Sequence, residues 1–141
     1  MALIEWSKAL ELGIEELDAQ HRRLVDLANG LHASIVDGSG QHVVKRCLEE
    51  LLEYAWLHFG DEERFFQAFN SPNLERHRDG HSEFLRAIEE FGARLDSDGE
   101  GLESDVMIFL RSWVARHIGH DDRELVRFAK LVRTTGSDAG A

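Results

Sequence analysis

The chain has 141 residues, with 16 lysines and arginines against 27 aspartates and glutamates, so its formal net charge is −11. This acidic balance argues against nucleic acid and anionic membrane surfaces as partners, because both attract Lys and Arg. A single cysteine, Cys47, excludes an intramolecular disulfide and a multi-cysteine metal site. The length and the 43% hydrophobic content predict one globular domain over residues 1–141.

The sequence shows no targeting or membrane segment. No apolar run approaches the ~18 residues that a membrane span needs. The N-terminus has no basic region followed by an apolar stretch, as a signal peptide would. We therefore expect a cytoplasmic protein. The eight histidines are its least expected feature.

Apolar residues recur at helical spacing along most of the chain, and a few turn-rich segments interrupt them. After an N-terminal arm, residues 1–17, this pattern predicts four helices, at about 18–37, 41–69, 73–95 and 102–133. The last residues, 134–141, are predicted to form a frayed tail. Asp18 is expected to cap the first helix. Because short loops favour antiparallel neighbours, the sequence predicts an all-α fold, an up-down-up-down antiparallel four-helix bundle with the arm packed on it.

Seven polar residues occupy stripe positions that would otherwise be core: His21, His58, Glu62, His77, His81, His117 and Asp122. His58 and Glu62 are four residues apart, as are His77 and His81, so each pair shares a helix face and could hold one metal ion. The free-energy cost of burying all seven without partners would exceed the stability of a typical domain, ~5–15 kcal/mol. Since every helix contributes a histidine, the pattern predicts a metal site in the bundle core.

The number of candidate ligands indicates more than one ion. Five imidazoles and two carboxylates exceed one tetrahedral zinc site and suit two six-coordinate ions with bridging carboxylates. These ligand types are compatible with iron, manganese, zinc or copper, so they leave the metal open. Neither Glu-x-x-His, typical of ferritin-like di-iron proteins, nor His-Glu-x-x-His, typical of zinc proteases, occurs in the sequence.

The same residues resemble the hemerythrin family. The matching motifs are Asp18-Ala19-Gln20-His21, His58-Phe59-Gly60-Asp61-Glu62-Glu63, His77-x3-His81 and Trp113-x3-His117-Ile118-x3-Asp122. The resemblance extends over about residues 4–132 and is closest to the single-domain hemerythrins of bacteria. It implies a non-heme di-iron centre that binds O2 reversibly, for carriage, storage or delivery, and a protein that is not an enzyme.

The resemblance also implies a role for each candidate residue. One iron would have three histidine ligands, His77, His81 and His117, and the other would have two, His21 and His58. The carboxylate bridges, beside an oxo or hydroxo bridge, would be Glu62 and Asp122. O2 would bind end-on as a hydroperoxide at the iron with the open position. The apolar residues expected to line that pocket are Leu24, Phe59, Trp113, Val114 and Ile118.

Two positions depart from simple expectations. In an ideal α-helix five residues turn ~500°, which leaves Asp122 about 140° round from His117 and favours Asp121 instead. The family pattern selects Asp122, and a local widening of the helix would reconcile the two. Val114 stands where the family commonly has leucine, and a smaller residue there would admit water or a larger ligand.

Other functions compete with O2 carriage. One is an O2 or redox sensing module, and another is a di-iron enzyme that reduces peroxide, nitric oxide or O2. The apolar lining favours carriage, because such an enzyme needs a proton donor near the open iron. Of the remaining histidines, His32 and His42 are expected at the surface, and His120 is a minor candidate for contact with a ligand. Cys47 is expected to be partly buried.

Overall fold

Long helices joined by short loops make up the fold, and the computed structural model describes residues 2–97 and 99–140, with side chains up to residue 132. The helices are α1 (Glu15–Val36), α2 (Gln41–Ala68), α3 (Leu74–Asp96), α4 (Leu102–Arg116) and α5 (Arg123–Gly140). A six-residue π-helical segment, His117–Asp122, joins α4 to α5 in one continuous rod. No β-strand occurs in the described residues, so the all-α prediction is confirmed.

The fold has four rods, namely α1, α2, α3 and the continuous rod formed by α4, the π-helical segment and α5. These rods surround a common core. α1 packs against α2 and α4, and α3 packs against the same two helices. With short loops between them, consecutive rods run antiparallel, which confirms the predicted four-helix bundle. The backbone of the last rod is helical to Gly140. The side chains of the tail predicted to fray, residues 134–141, lie outside the described residues.

The core consists of two apolar clusters separated along the bundle. Three rods contribute to both, with residues two helical turns apart: Leu17 and Leu24, Phe59 and Phe66, Ile118 and Leu125. Between the members of each pair lies a buried polar residue: His21, Glu62 and Asp122. The bundle therefore encloses a polar layer between two apolar ones. In the described part of the chain, no helix combines the length and apolar composition that a membrane crossing requires.

The N-terminal arm lies on the bundle, as predicted. Leu3, Ile4 and Leu10 are buried in the larger apolar cluster. Asn29 on α1 binds the backbone of Ile4 twice, because its amide oxygen accepts from Ile4 N and its amide nitrogen donates to Ile4 O, both at 2.8 Å. The guanidinium of Arg111 donates to the carbonyl of Leu3 at 3.2 Å. Hydrogen bonds from α1 and α4 thus hold the backbone of Leu3 and Ile4 on the bundle.

Asp18 also holds the arm, and its predicted role as an N-cap is wrong. α1 begins at Glu15, four residues earlier than a cap at Asp18 requires, and the N-cap residue is Ile14. The Asp18 carboxylate instead accepts hydrogen bonds from the amides of Leu12, at 2.8 Å, and Gly13, at 3.1 Å. These two amides lie before the helix, so the side chain fastens the end of the arm to the first turn of α1.

Replacing this carboxylate should destabilise the fold. For Asp18→Ala we expect the free energy of unfolding to fall by about 1–3 kcal/mol, because a hydrogen bond to a charged group is lost and a buried amide loses its partner. Urea unfolding of the metal-free protein measures the change, and Asp26→Ala, at an exposed position of the same helix, is the control. Equal stabilities of the two variants would contradict this role of Asp18.

Candidate metal centre

The structure brings all seven candidate ligands into the polar layer of the bundle. α1 supplies His21, α2 supplies His58 and Glu62, α3 supplies His77 and His81, and the π-helical segment supplies His117 and Asp122. Each is between 0% and 5% exposed. Side chains from all four rods therefore meet in one buried cluster.

Glu62 lies at the centre and divides the histidines into two groups. Its Oε2 is 2.9 Å from Nε2 of His21 and 3.0 Å from Nε2 of His58. Its Oε1 faces the other three histidines, with Nε2 of His77 at 2.6 Å, of His81 at 3.0 Å and of His117 at 3.6 Å. We call these the two-histidine group (His21, His58) and the three-histidine group (His77, His81, His117).

Asp122 spans the same two groups. Its Oδ2 lies 3.1 Å from Nε2 of His21, and its Oδ1 lies 2.8 Å from His77 and 3.4 Å from His117. Each carboxylate thus presents one oxygen to each group of histidines. The ligand atoms of Asp122, Glu62 and the three-histidine group lie within 4.8 Å of one another, as do those of Glu62 and the two-histidine group. The structure therefore has two adjacent groups of side chains that could each hold a metal ion, with Glu62 common to both.

Several atoms of the cluster lack hydrogen bonds, which fits a metal centre. Nε2 of His117 and both carboxylate oxygens of Asp122 are buried and make no hydrogen bond of good geometry, although Nε2 of His21 and of His77 lie 3.1 and 2.8 Å from the two Asp122 oxygens. A buried polar atom left in this way costs ~1–3 kcal/mol. A metal ion would satisfy all three atoms through coordination, and imidazole and carboxylate are suitable ligands for iron.

Both carboxylates of the cluster are held in their negatively charged form. Burial raises the pKa of Glu62, yet the surrounding histidines hold it well below its usual value. Burial and the charge of Glu62 raise the pKa of Asp122, but the histidines around it lower it overall. Burial lowers the pKa of His21 and His77, but the nearby carboxylates of Asp122 and Glu62 outweigh it and raise each pKa to about 10. Because a histidine binds a metal ion through an unprotonated nitrogen, metal ions and protons compete for these rings.

The π-helical segment explains how His117 and Asp122 reach the same centre. Its hydrogen bonds run from i to i+5, so residues five apart lie one above the other. This is the helix widening that the sequence analysis considered, and it directs Asp122 into the cluster. Asp121 has a side chain that is 44% exposed and pairs with His120 at 3.1 Å. The structure therefore brings Asp122, and not Asp121, to the centre.

Aromatic rings cover the apolar side of the cluster. Phe59 stacks on His81, with ring centroids 4.0 Å apart, and Trp113 stacks on His117 at 4.4 Å. The five predicted lining residues are all buried in the larger apolar cluster: Leu24, Phe59, Trp113, Val114 and Ile118. Apolar side chains thus separate this face of the centre from water.

Two polar residues that contact the ligands were missed in the sequence analysis. Gln20 accepts a hydrogen bond from Nδ1 of His58 at 2.7 Å, and Glu63 accepts one from Nδ1 of His81 at 2.8 Å. Each is adjacent in sequence to another ligand, His21 or Glu62, which is the signal that could have found them. Adjacent helix positions point in different directions, so neither residue lies on the apolar stripe that guided the search.

The other histidines differ partly from expectation. His42 is exposed, as predicted, and Cys47 is partly buried, as predicted. His32 is half-buried and its Nε2 is buried without a hydrogen-bond partner, so its predicted surface position is wrong. His120 has a side chain that is 73% exposed and pairs with Asp121 at the surface.

Together these features define a four-helix bundle with a buried centre of histidines and shared carboxylates. The sequence profile of the hemerythrin HHE cation binding domain matches residues 12–129. The bacteriohemerythrin of Stenotrophomonas maltophilia is 31% identical over 124 residues, which cover 87% of this chain and 79% of that protein. The bacteriohemerythrin of Clostridium acetobutylicum is 28% identical over 125 residues, which cover 86% and 97%. The chain belongs to the hemerythrin family.

A solved structure has the same fold. The crystal structure of wild-type hemerythrin aligns with a TM-score of 0.79 at 22% sequence identity, covering 91% of this chain and 98% of that one. At this identity the likeness concerns the fold.

Asp121 and Asp122 offer a matched test of the π-helical segment. For Asp122→Asn we expect metal affinity to fall more than tenfold, because even an outer partner of a metal ligand contributes 10–100-fold. For Asp121→Asn we expect the same metal content as in the unmodified protein, because the Asp121 carboxylate is 44% exposed and its closest approach to a ligand, 3.9 Å from Nδ1 of His117, is too long for a hydrogen bond. Elemental analysis after dialysis against a weak chelator measures the bound metal. Loss of metal in the Asp121 variant alone would contradict the geometry.

Proposed function

We propose that this protein binds O2 reversibly at a pair of iron ions, for the carriage, storage or delivery of O2, and that it is not an enzyme. The observation that carries the proposal is the sharing of both carboxylates, Glu62 and Asp122, between a three-histidine and a two-histidine group. A pair of iron ions held there would supply the two electrons that O2 accepts on binding and returns on release. Membership of the hemerythrin family supports iron as the metal.

The unequal number of histidines provides a place for O2. The three-histidine position has three imidazole nitrogens and two carboxylate oxygens, whereas the two-histidine position has two of each kind. An ion beside His21 and His58 therefore has fewer protein ligands and keeps a position for a ligand from solution. We assign O2 binding to that side of the centre.

The surroundings favour release of O2 over its reduction. The polar layer lies between two apolar clusters, and the ring of Phe59, which stacks on His81, also lies beside His58 on the two-histidine side, with centroids 5.7 Å apart. Such a lining excludes water, and with it the protons that conversion of O2 to free peroxide requires. The small side chain of Val114 belongs to this lining and is 3% exposed. The cytoplasmic location stays a prediction from the sequence.

The test is an oxygenation cycle of the iron-loaded protein. We expect two Fe(II) per chain under anaerobic conditions, a new visible absorption band when O2 is added, and its loss when O2 is removed under vacuum. Repeated cycles should restore the same spectra. In His77→Ala we expect loss of iron and of the band, whereas His42→Ala, at an exposed histidine, should behave as the unmodified protein.

Two outcomes would contradict the proposal. Protein that binds fewer than two irons per chain in iron-replete solution would refute the shared centre. Protein that binds two irons but oxidises irreversibly with the first O2 would replace carriage by redox sensing or by catalysis, and turnover of peroxide or nitric oxide would then separate those two.

A further inference from the structure

Hydrogen-bonded side chains extend from the metal centre towards the surface on two sides. On one side, His81 donates from Nδ1 to Oε2 of Glu63 at 2.8 Å, and Oε1 of Glu63 accepts from Nε of Arg78 at 3.1 Å. On the other side, His58 donates from Nδ1 to Oε1 of Gln20 at 2.7 Å. In both cases Nε2 of the same ring faces Glu62 in the centre.

The second chain continues beyond the amide. Gln20 donates from Nε2 to Oδ2 of Asp61 at 3.0 Å, and Asp61 also accepts a hydrogen bond from Arg64. Each chain thus ends on an arginine and contains one carboxylate. In the first chain the carboxylate of Glu63 touches the imidazole directly, whereas in the second the neutral amide of Gln20 separates the imidazole from Asp61.

This difference in outer partner distinguishes the three-histidine group from the two-histidine group. His81 belongs to the three-histidine group and has a charged outer partner. His58 belongs to the two-histidine group and has a neutral one. The other member of that group, His21, has a buried Nδ1 with no hydrogen-bond partner. No anionic side chain therefore contacts Nδ1 of either ring in the two-histidine group, within the part of the chain that the structure describes.

The charge of an outer partner affects the metal through the ring. A carboxylate that accepts the Nδ1 proton draws it away from the imidazole, which increases the electron density at Nε2 and strengthens that nitrogen as a ligand. An amide oxygen fixes the orientation of the ring in the same way, but it adds no negative charge. A stronger donor nitrogen also stabilises the more highly charged state of a metal ion.

We propose that Glu63 is a positioning residue that makes the three-histidine position the tighter metal site and the one that is more easily oxidised, whereas Gln20 keeps the two-histidine position the weaker one. The proposal rests on the proposed iron centre and adds that its two positions are electronically unequal. The outer partners then act in the same direction as the number of histidines. Each of these two differences leaves an ion in the two-histidine position more electron-poor, and therefore more available to a ligand from solution.

Glu63→Gln isolates the charge from the hydrogen bond. The glutamine amide oxygen can still accept from Nδ1 of His81, as Gln20 does from His58, so the ring keeps its orientation. Glu63 is 26% exposed, and the variant leaves the buried ligands in place. The control is Glu53→Gln, which removes the same charge from an exposed position of α2.

Co(II) titration of the metal-free protein against a competing chelator measures both affinities without O2 or redox chemistry. For the unmodified protein we expect two ions with unequal affinities. For Glu63→Gln we expect the tighter affinity to fall about tenfold or more, while the weaker one changes less than twofold. In the iron protein, a tenfold loss of preference for the ferric state raises the midpoint potential by about 59 mV. Glu53→Gln should change none of these values.

The double variant Gln20→Glu with Asp61→Asn gives the converse test. It exchanges the amide and the carboxylate of the second chain, so its net charge is unchanged. We expect the weaker Co(II) affinity to rise about tenfold and to approach the tighter one.

The outcomes separate this inference from the proposed function. If Glu63→Gln leaves both Co(II) affinities and the potential unchanged, or shifts both affinities equally, the role of Glu63 is refuted while the iron centre stands. If the unmodified protein fails to bind two Co(II) ions, the shared centre itself is refuted.

Discussion

Two buried carboxylates face five buried imidazoles at the centre of the bundle, and the arrangement of the helices around them follows from this contact. Glu62 and Asp122 are each 0% exposed, and each places one oxygen towards the two-histidine group and the other towards the three-histidine group. Burial of so many polar groups is unfavourable unless they bind one another or a cation. The unpartnered oxygens of Asp122 indicate that the protein side chains alone do not complete this arrangement.

The fold meets this constraint by placing the polar layer between two apolar clusters. In three of the rods, an apolar residue of one cluster lies seven positions, or two helical turns, from an apolar residue of the other cluster. A ligand lies between the two. The π-helical segment adds a residue to the last rod at the level of the centre, which lets His117 and Asp122 contribute from the same face. π-Helical turns occur frequently at functional sites, and here the turn has a direct geometric purpose.

The sequence predicted the bundle and the ligand set because both depend on helical periodicity. His21, His58 and His81 interrupt stripes of apolar residues, so their burial follows from the same spacing that defines the helices. Asp122 needed the family pattern as well, because regular geometry favours its neighbour. The role of Asp18 was not predictable, since it depends on the path of the arm in space. Glu63 was missed because it lies beside the stripe, where the sequence does not distinguish it from a glutamate at the surface.

In the proposed centre, the two carboxylates bridge two metal positions that have unequal numbers of histidine ligands. Anomalous diffraction at the iron edge from crystals of the iron-loaded protein tests it most directly. We expect two iron peaks, one beside the three-histidine group and one beside the two-histidine group, with Glu62 and Asp122 between them. A single peak, or two peaks that do not share these carboxylates, would contradict it.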